Sequence, residues 1–126
     1  MPLMTSFKRG DVVLAHVVFT DGTSTKKRPA IVVSGSKYHK EREEIIVLAV
    51  SSNTQRTLFG DIVLQEWQEA GLLYPSTATG IFFTIKKELV ERRLGALTVA
   101  DLTIVEKNLK EVFEIGGGRS EKKDKT

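Results

Sequence analysis

Lys26-Lys27-Arg28-Pro29-Ala30-Ile31-Val32-Val33-Ser34, a polar interval from Gly35 to Glu43, and Ile45-Ile46-Val47-Leu48-Ala49-Val50-Ser51-Ser52-Asn53 make up the stretch whose reading decides the fold. Two β-branched apolar runs, each bounded by polar residues, read as buried strands rather than as pieces of helix. Joined through Gly35 to Glu43 as a hairpin, they pair antiparallel, and the start of the first lies beside the end of the second. Arg28 and Ser51 are therefore expected together at one end of the sheet, with Lys26 and Lys27 adjacent. A guanidinium, a hydroxyl and two ammonium groups gathered there suit a phosphodiester.

The 126 residues are enough for one domain and one core, expected over residues 1–115, with a charged, disordered tail over residues 116–126. No cysteine is present, which excludes a disulfide framework, a thiolate metal site and a thiol nucleophile. The first residues lack the apolar core of a signal peptide, and no apolar run is long enough to cross a bilayer. A soluble, cytoplasmic protein without a membrane partner is the expectation. The net charge is +3 and the pI is near 9.2, compatible with a nucleic-acid partner. The basic residues cluster at Lys26 to Arg28, at Arg92-Arg93 and in the tail.

Outward from the central stretch, Phe7 reads as a core anchor and Val12 to Phe19 as the first strand. Thr20 to Thr25 reads as a polar loop delivering Lys26 and Lys27 to Arg28, and Pro29 holds Arg28 in extended backbone. The Gly35 to Glu43 interval is expected to be a surface hairpin loop, with His39 facing solvent. Asn53 to Leu58 is a further loop, Asp61 to Leu64 a short strand, and Glu66 to Ala70 one or two helical turns ended by Gly71. Gly80 to Lys86 is a clear strand, whereas the pattern of Leu89 to Leu97 selects no element.

Thr98-Val99-Ala100-Asp101 resembles a capping box. Leu102, Val105, Leu109 and Val112 then recur at helical spacing, predicting a helix from Val99 to about Ile115 that covers one side of the sheet and ends at Gly116-Gly117-Gly118. The fold class is mainly β with α+β character: a small, strongly curved antiparallel sheet or barrel with a C-terminal helix.

Several blocks carry a resemblance. Arg9-Gly10-Asp11-Val12-Val13, Lys27 to Ser34, Ala49-Val50-Ser51-Ser52, Gly60 to Leu64, Trp67 to Leu73, Pro75-Ser76, Thr84-Ile85 and Leu94 to Leu97 together resemble the MazF/PemK toxins, in order and spacing. The resemblance implies an SH3-like β-barrel, a homodimer, a cognate antitoxin partner, and cleavage of single-stranded RNA at short sequences without metal or other cofactor. Carried over by residue, the arginine of the family's Arg-Pro motif falls on Arg28 and the hydroxyl ending its third strand on Ser51, as the catalytic pair. Lys26, Lys27, Ser52, Asn53 and Thr79 are the expected RNA-binding positions. Some members carry another arginine soon after the Pro-Ser segment; here the nearby Thr77, Ala78, Thr79 and Phe83 are not basic.

The residues support the chemistry independently. A protein can promote attack by the RNA's own 2′-hydroxyl if it aligns that oxygen with phosphorus and stabilises the added charge on the phosphoryl oxygens. Arg28 can hold two of those oxygens and Ser51 can donate to another or orient the nucleophile. His16, in an apolar strand, reads as a hydrogen-bonded structural residue, and Trp67 and Phe82-Phe83 as core rather than base-stacking surfaces. Two isolated histidines and scattered carboxylates offer no metal-ligand spacing. A rival reading on the same barrel is a non-catalytic RNA- or protein-binding relative, either a CcdB-like inhibitor or a degenerate toxin.

Overall fold

The computed structural model describes residues 6–18, 25–56 and 58–116. Its strands are β1 (Asp11–Val18), β2 (Thr25–Val32), β3 (Glu44–Ser51), β4 (Ile62–Val63), β5 (Thr77–Lys86) and β6 (Val90–Ala96), with helices α1 (Ser36–Glu41) and α2 (Val99–Phe113). All six strands belong to one antiparallel sheet in the order β4-β5-β3-β2-β1-β6. The central pairing is as the sequence predicts: Ala30 lies opposite Ala49, Ile31 opposite Leu48 and Val32 opposite Val47.

Alternation along these strands sends side chains to both faces of the sheet, and each face is apolar. On one, Val12, Ile31, Leu48, Leu64, Ala70, Leu72 and Leu97 pack beneath Val105 of α2, with Leu102, Leu109 and Trp67 partly buried against them. On the other, Val13, Ala30, Val32, Ile45 and Val47 surround the buried Phe7. Trp67 and the Phe82-Phe83 pair are thus core-associated, and Phe82 also meets Phe113 of α2 at 5.1 Å between ring centroids.

Among the described residues the sheet does not close by hydrogen bonding into a barrel. Its edges are β4 and β6, and the gap between them is crossed by packing. The chain after β4 makes a single turn, in which Gly71 N donates to Gln68 O, and lays its backbone on β6. There a Cβ on Gly71 would stand 2.2 Å from the Leu94 carbonyl oxygen, and one on Gly95 would stand 2.4 Å from that of Ala70. Two glycines allow main chain to touch main chain. The Leu89 to Leu97 region resolves into a 3₁₀ turn at Lys87–Leu89 and the edge strand β6, whose exposed Glu91, Arg92 and Arg93 keep the edge charged.

The Gly35 to Glu43 interval is the surface connection expected between β2 and β3, but it is partly helical. It contains α1, whose inward side carries His39, only 4% exposed. The Phe7 carbonyl, an acceptor only, lies 3.1 Å from Nδ1, so that nitrogen carries the proton and donates to it. Nε2 then accepts from Ser34 Oγ at 2.6 Å, and the same Oγ accepts from Ile46 N at 2.9 Å. With both ring nitrogens satisfied, the imidazole is stable in the interior, which overturns the expected solvent-facing position.

Helix α2 begins as predicted, with the Thr98 hydroxyl accepting from Asp101 N at 3.3 Å. Asp101 itself does not reach back to complete a capping box. It is buried and accepts from Gln65 N at 3.1 Å and Glu66 N at 2.8 Å, tying the segment after β4 to the helix. The helix also ends before the glycine run, because Glu114 takes the left-handed conformation at φ 54° and Ile115 N returns to Lys110 O. The loop expected at Thr20 to Thr25 and the tail lie almost wholly outside the described residues. Among the described residues no helix is long and apolar enough to cross a membrane.

Candidate nucleic-acid interface

Arg28 stands exposed on β2, opposite Ala15 of β1 and one residue before Pro29. Proline has no amide hydrogen, so the β2–β3 ladder stops at Ala30–Ala49. The sequence predicts Arg28 beside Ser51; continuing the register would set the two opposite each other, although the paired residues do not extend that far. Ser51 is half-buried at the end of β3, where it pairs with Thr77 of β5. Its Oγ accepts from Asn53 N at 3.0 Å, a local turn bond that leaves the hydroxyl proton available for donation. The adjoining exposed Asn53 uses its side-chain oxygen to accept from Gln55 N at 3.0 Å.

Two clefts meet at Arg28. One, of about 340 Å³, is apolar, with walls from Ala15, Val17, Val47, Phe83 and Ile85. The other, of about 540 Å³, brings Arg28 together with Ser52, Tyr74, Ser76 and Arg92. Ser52, rather than Ser51, is the strand-end hydroxyl lining the second cleft. A third hollow, of about 500 Å³, lies between α2 and the sheet. Its arginine, Arg9, is already bonded to Glu106 at 3.2 Å and to the Val33 carbonyl at 2.8 Å, so that hollow offers an anion little.

The remaining expected contact residues divide. Lys26 and Lys27 are exposed beside Arg28, but Lys27 Nζ reaches Glu91 on β6 at 3.1 Å. That hydrogen bond holds the Glu91 carboxyl below the usual carboxylate range against a partial burial that opposes it, and His16, 3.3 Å away, adds to the effect. His16 is therefore a half-exposed, hydrogen-bonded partner of Glu91, in keeping with the structural role expected of it. Thr79 is 2% exposed; its hydroxyl donates to Ala49 O at 2.8 Å and accepts from Ile81 N at 3.1 Å, leaving no surface for a ligand.

Sequence reasoning missed Arg92 and Tyr74 as cleft-lining residues. The Arg92-Arg93 pair was visible, but only structure distinguishes its members: Arg93 is held by buried Asp11 at 3.2 Å, whereas Arg92 lines the cleft. The signal for Tyr74 was an aromatic residue directly before Pro75 in an otherwise turn-like segment.

The fold is an antiparallel sheet flanked by one long helix, with a cleft lined by Arg28 and Arg92 beside the point where the β2–β3 ladder stops. The sequence model described as "PemK-like, MazF-like toxin of type II toxin-antitoxin system" matches residues 8–113, and the chain belongs to that family. Among solved structures, an endoribonuclease from a mycobacterial species superposes with a TM-score of 0.70 at 15% identity, over 93% of this chain and all of that one (100%). A mycobacterial endoribonuclease in complex with its cognate antitoxin gives 0.69 at 16% identity, over 94% and 100% of the two chains. The Mycobacterium tuberculosis toxin MazF-mt6 gives 0.68 at 18% identity, over 85% and 99%. At these identities the likeness is one of fold. Comparison with curated protein sequences gave no significant match.

Proposed function

We propose that this chain is the endoribonuclease toxin of a type II toxin–antitoxin pair, cutting single-stranded RNA at short sequences through the RNA's own 2′-hydroxyl and without a metal ion. The observation that carries the reading is the position of Arg28, exposed on β2 where two clefts meet beside the end of the β2–β3 ladder, in a chain of this toxin family. The 2′-oxygen attacks the adjacent phosphorus, the bond to the 5′-oxygen breaks, and the products are a 2′,3′-cyclic phosphate and a 5′-hydroxyl. The proton lost from the 2′-oxygen passes to solvent or a neighbouring group, and the departing 5′-oxygen gains one.

Arg28 carries the transition-state charge on the phosphoryl oxygens, because a guanidinium is a steady cation and a poor base. Ser51, with a proton free to donate, orients the phosphate, and Lys26, Ser52 and Asn53 hold the strand on either side. Lys27 joins them only on exchanging Glu91 for a phosphate. The working form is a homodimer, whose two copies together give the RNA a longer track than one small domain offers. A small antitoxin covers that track, as supported by the structural similarity to an endoribonuclease solved with its cognate antitoxin.

Incubation of the purified protein with mixed-sequence RNA in EDTA, followed by mapping of the ends, tests the proposal. Fragments with cyclic-phosphate 3′ ends and recurrent cleavage sequences are expected. Uncut RNA that remains bound to the protein would replace the nuclease with the non-catalytic binding reading. Light scattering at micromolar concentration is expected to give the mass of a dimer.

A further inference from the structure

We infer that the cleft between Leu73 and Arg92 is a docking site for a protein partner, whose docked part is an extended acidic segment with an aliphatic side chain next to a carboxylate. The inference does not depend on RNA cleavage, because Arg92 lies on the face of the sheet away from the one to which the register directs Arg28.

Strand alternation separates the two arginines. Val12 faces α2, so Leu14, two residues on, lies on the same face, and Arg92 is opposite Leu14. Leu94, two residues after Arg92, packs against that same core beneath α2. Arg28 also borders the cleft, but it is opposite Ala15 and two residues before Ala30, which packs on the Phe7 side. A nucleic-acid strand running past the Arg28 side chain is therefore not carried on to Arg92.

The charge at Arg92 is uncommitted. Arg9, Arg42, Arg56 and Arg93 each lie within 3.2 Å of a carboxylate, whereas Arg92 has no such partner among the described residues. The adjoining Glu91 is held by Lys27 at 3.1 Å and by His16 at 3.3 Å, and no acid is among the described residues that line the cleft. An exposed guanidinium in that setting can take a carboxylate on two parallel hydrogen bonds.

The rest of the wall selects the occupant. Leu14, Pro29, Val50, Leu72, Leu73 and Leu94 make it aliphatic, and Tyr74 is the one aromatic ring among its described residues. A nucleic-acid strand brings a charge with every base and is held by successive cations and stacking faces, which this wall does not supply. An acidic peptide segment brings an aliphatic side chain and a carboxylate together. Leu73 is 80% and Tyr74 64% exposed, on backbone that is already fixed. The Gly71 main chain rests on Leu94 and Gly95, Pro75 restricts Tyr74 to extended backbone, and Ser76 Oγ donates to the Tyr74 carbonyl at 2.7 Å. A large apolar side chain held in water on an ordered segment gains burial on docking at little further ordering cost.

The test titrates the full chain, by anisotropy, into short fluorescein-labelled peptides that alternate leucine with glutamate, leucine with lysine, or serine with glutamate. Only the leucine-glutamate peptide is expected to bind. Arg92→Ala should weaken it about tenfold to a hundredfold, through loss of a charge-assisted hydrogen-bonded pair. Arg92→Glu should transfer the preference to the leucine-lysine peptide. Leu73→Ser should weaken binding about tenfold without altering its dependence on KCl. Lys107→Ala, on the exposed side of α2 and outside the cleft, is the charge control and keeps the parent affinity. Thermal melts establish that the surface variants are folded. An excess of mixed-sequence oligoribonucleotide, 2′-O-methylated at every ribose so that it is not cut, should leave the peptide in place. The docking site is overturned if the leucine-glutamate peptide does not bind, if the serine-glutamate peptide binds equally well, or if Arg92→Ala and Leu73→Ser keep the parent affinity. Displacement of the peptide by the oligoribonucleotide, with weaker oligoribonucleotide binding by Arg92→Ala, would give the cleft to nucleic acid instead.

Discussion

Gly71 and Leu94 touch through main chain alone: a Cβ on the glycine would stand 2.2 Å from the leucine's carbonyl oxygen. This contact joins the two edges of an otherwise open sheet and sets the position of the segment that carries Tyr74 and Ser76 into the cleft.

Gly71→Ala is therefore expected to be severe. The residue has φ +90°, a region L-residues rarely occupy, and the added methyl meets backbone that cannot swing aside. A loss of about 2 kcal/mol or more is expected from strain and clash together. Urea unfolding followed by Trp67 fluorescence measures it, and a midpoint equal to the parent's would show that the edges are not held by this contact.

A second expectation concerns acid. Burial alone would raise the Asp61 carboxyl, but hydrogen bonds from Arg56, Gly80 N and Leu58 N hold it below its ordinary value. A depressed folded-state pKa means that the unfolded chain binds the proton more readily. The associated stability is complete above the unfolded value of about 3.9 and is lost as pH falls through the lower folded value. Arg56→Ala should lower stability at neutral pH and flatten its decline below about pH 4. Urea midpoints across that range give the slope; equal slopes in parent and variant would remove Asp61 from the account.

The buried Ser34 hydroxyl links His39 Nε2 to Ile46 N, so Ser34→Ala strands two polar groups at once. The expected cost is about 1–3 kcal/mol. Amide exchange should show α1 and the start of β3 opening together. Protection unchanged at Ile46 would mean another donor or acceptor had replaced the hydroxyl.

These elements also show what sequence could disclose. Val12 to Val18, Ala30 to Val33 and Ile45 to Val50 are legible because β-branched, apolar runs have few alternatives, and Thr98 with Leu102, Val105 and Leu109 marks α2 by cap and period. Helix α1 is hidden because Ser36 to Glu41 contains no apolar stripe; it is placed by His39, whose partners Phe7 and Ser34 come from elsewhere in the chain. Strand β6 is hidden because Glu91-Arg92-Arg93 breaks the alternation of an edge strand. Asp101 looked like a local cap, yet it serves amides more than thirty residues away. The exposed place of Arg28 beside the clefts was legible through its proline and neighbouring lysines. Arg92 became visible only when β1 set it across the sheet from Pro29.

The last expectation concerns the reacting phosphate. Arg28 is exposed on β2, just past the last β2–β3 pair, so Arg28→Ala should leave the fold and thermal midpoint close to the parent's while lowering cleavage by about a hundredfold to a thousandfold. Arg28→Lys should rescue poorly, because an ammonium keeps the charge but not the planar fork that holds two oxygens. Two neighbouring hydroxyls then require separation. Ser51 lies opposite Arg28 when the β2–β3 register is continued, whereas Ser52 lines the cleft with it. If Ser51 donates to the phosphate, Ser51→Ala slows cleavage by less than Arg28→Ala does and Ser51→Thr restores it. Ser52→Ala would then affect mainly the RNA concentration needed for half-maximal rate. Single-turnover rates over a range of protein concentrations distinguish the two. A larger fall in the limiting rate for Ser52→Ala than for Ser51→Ala would transfer the catalytic hydroxyl to Ser52, and parent-like cutting by Arg28→Ala would remove the site altogether.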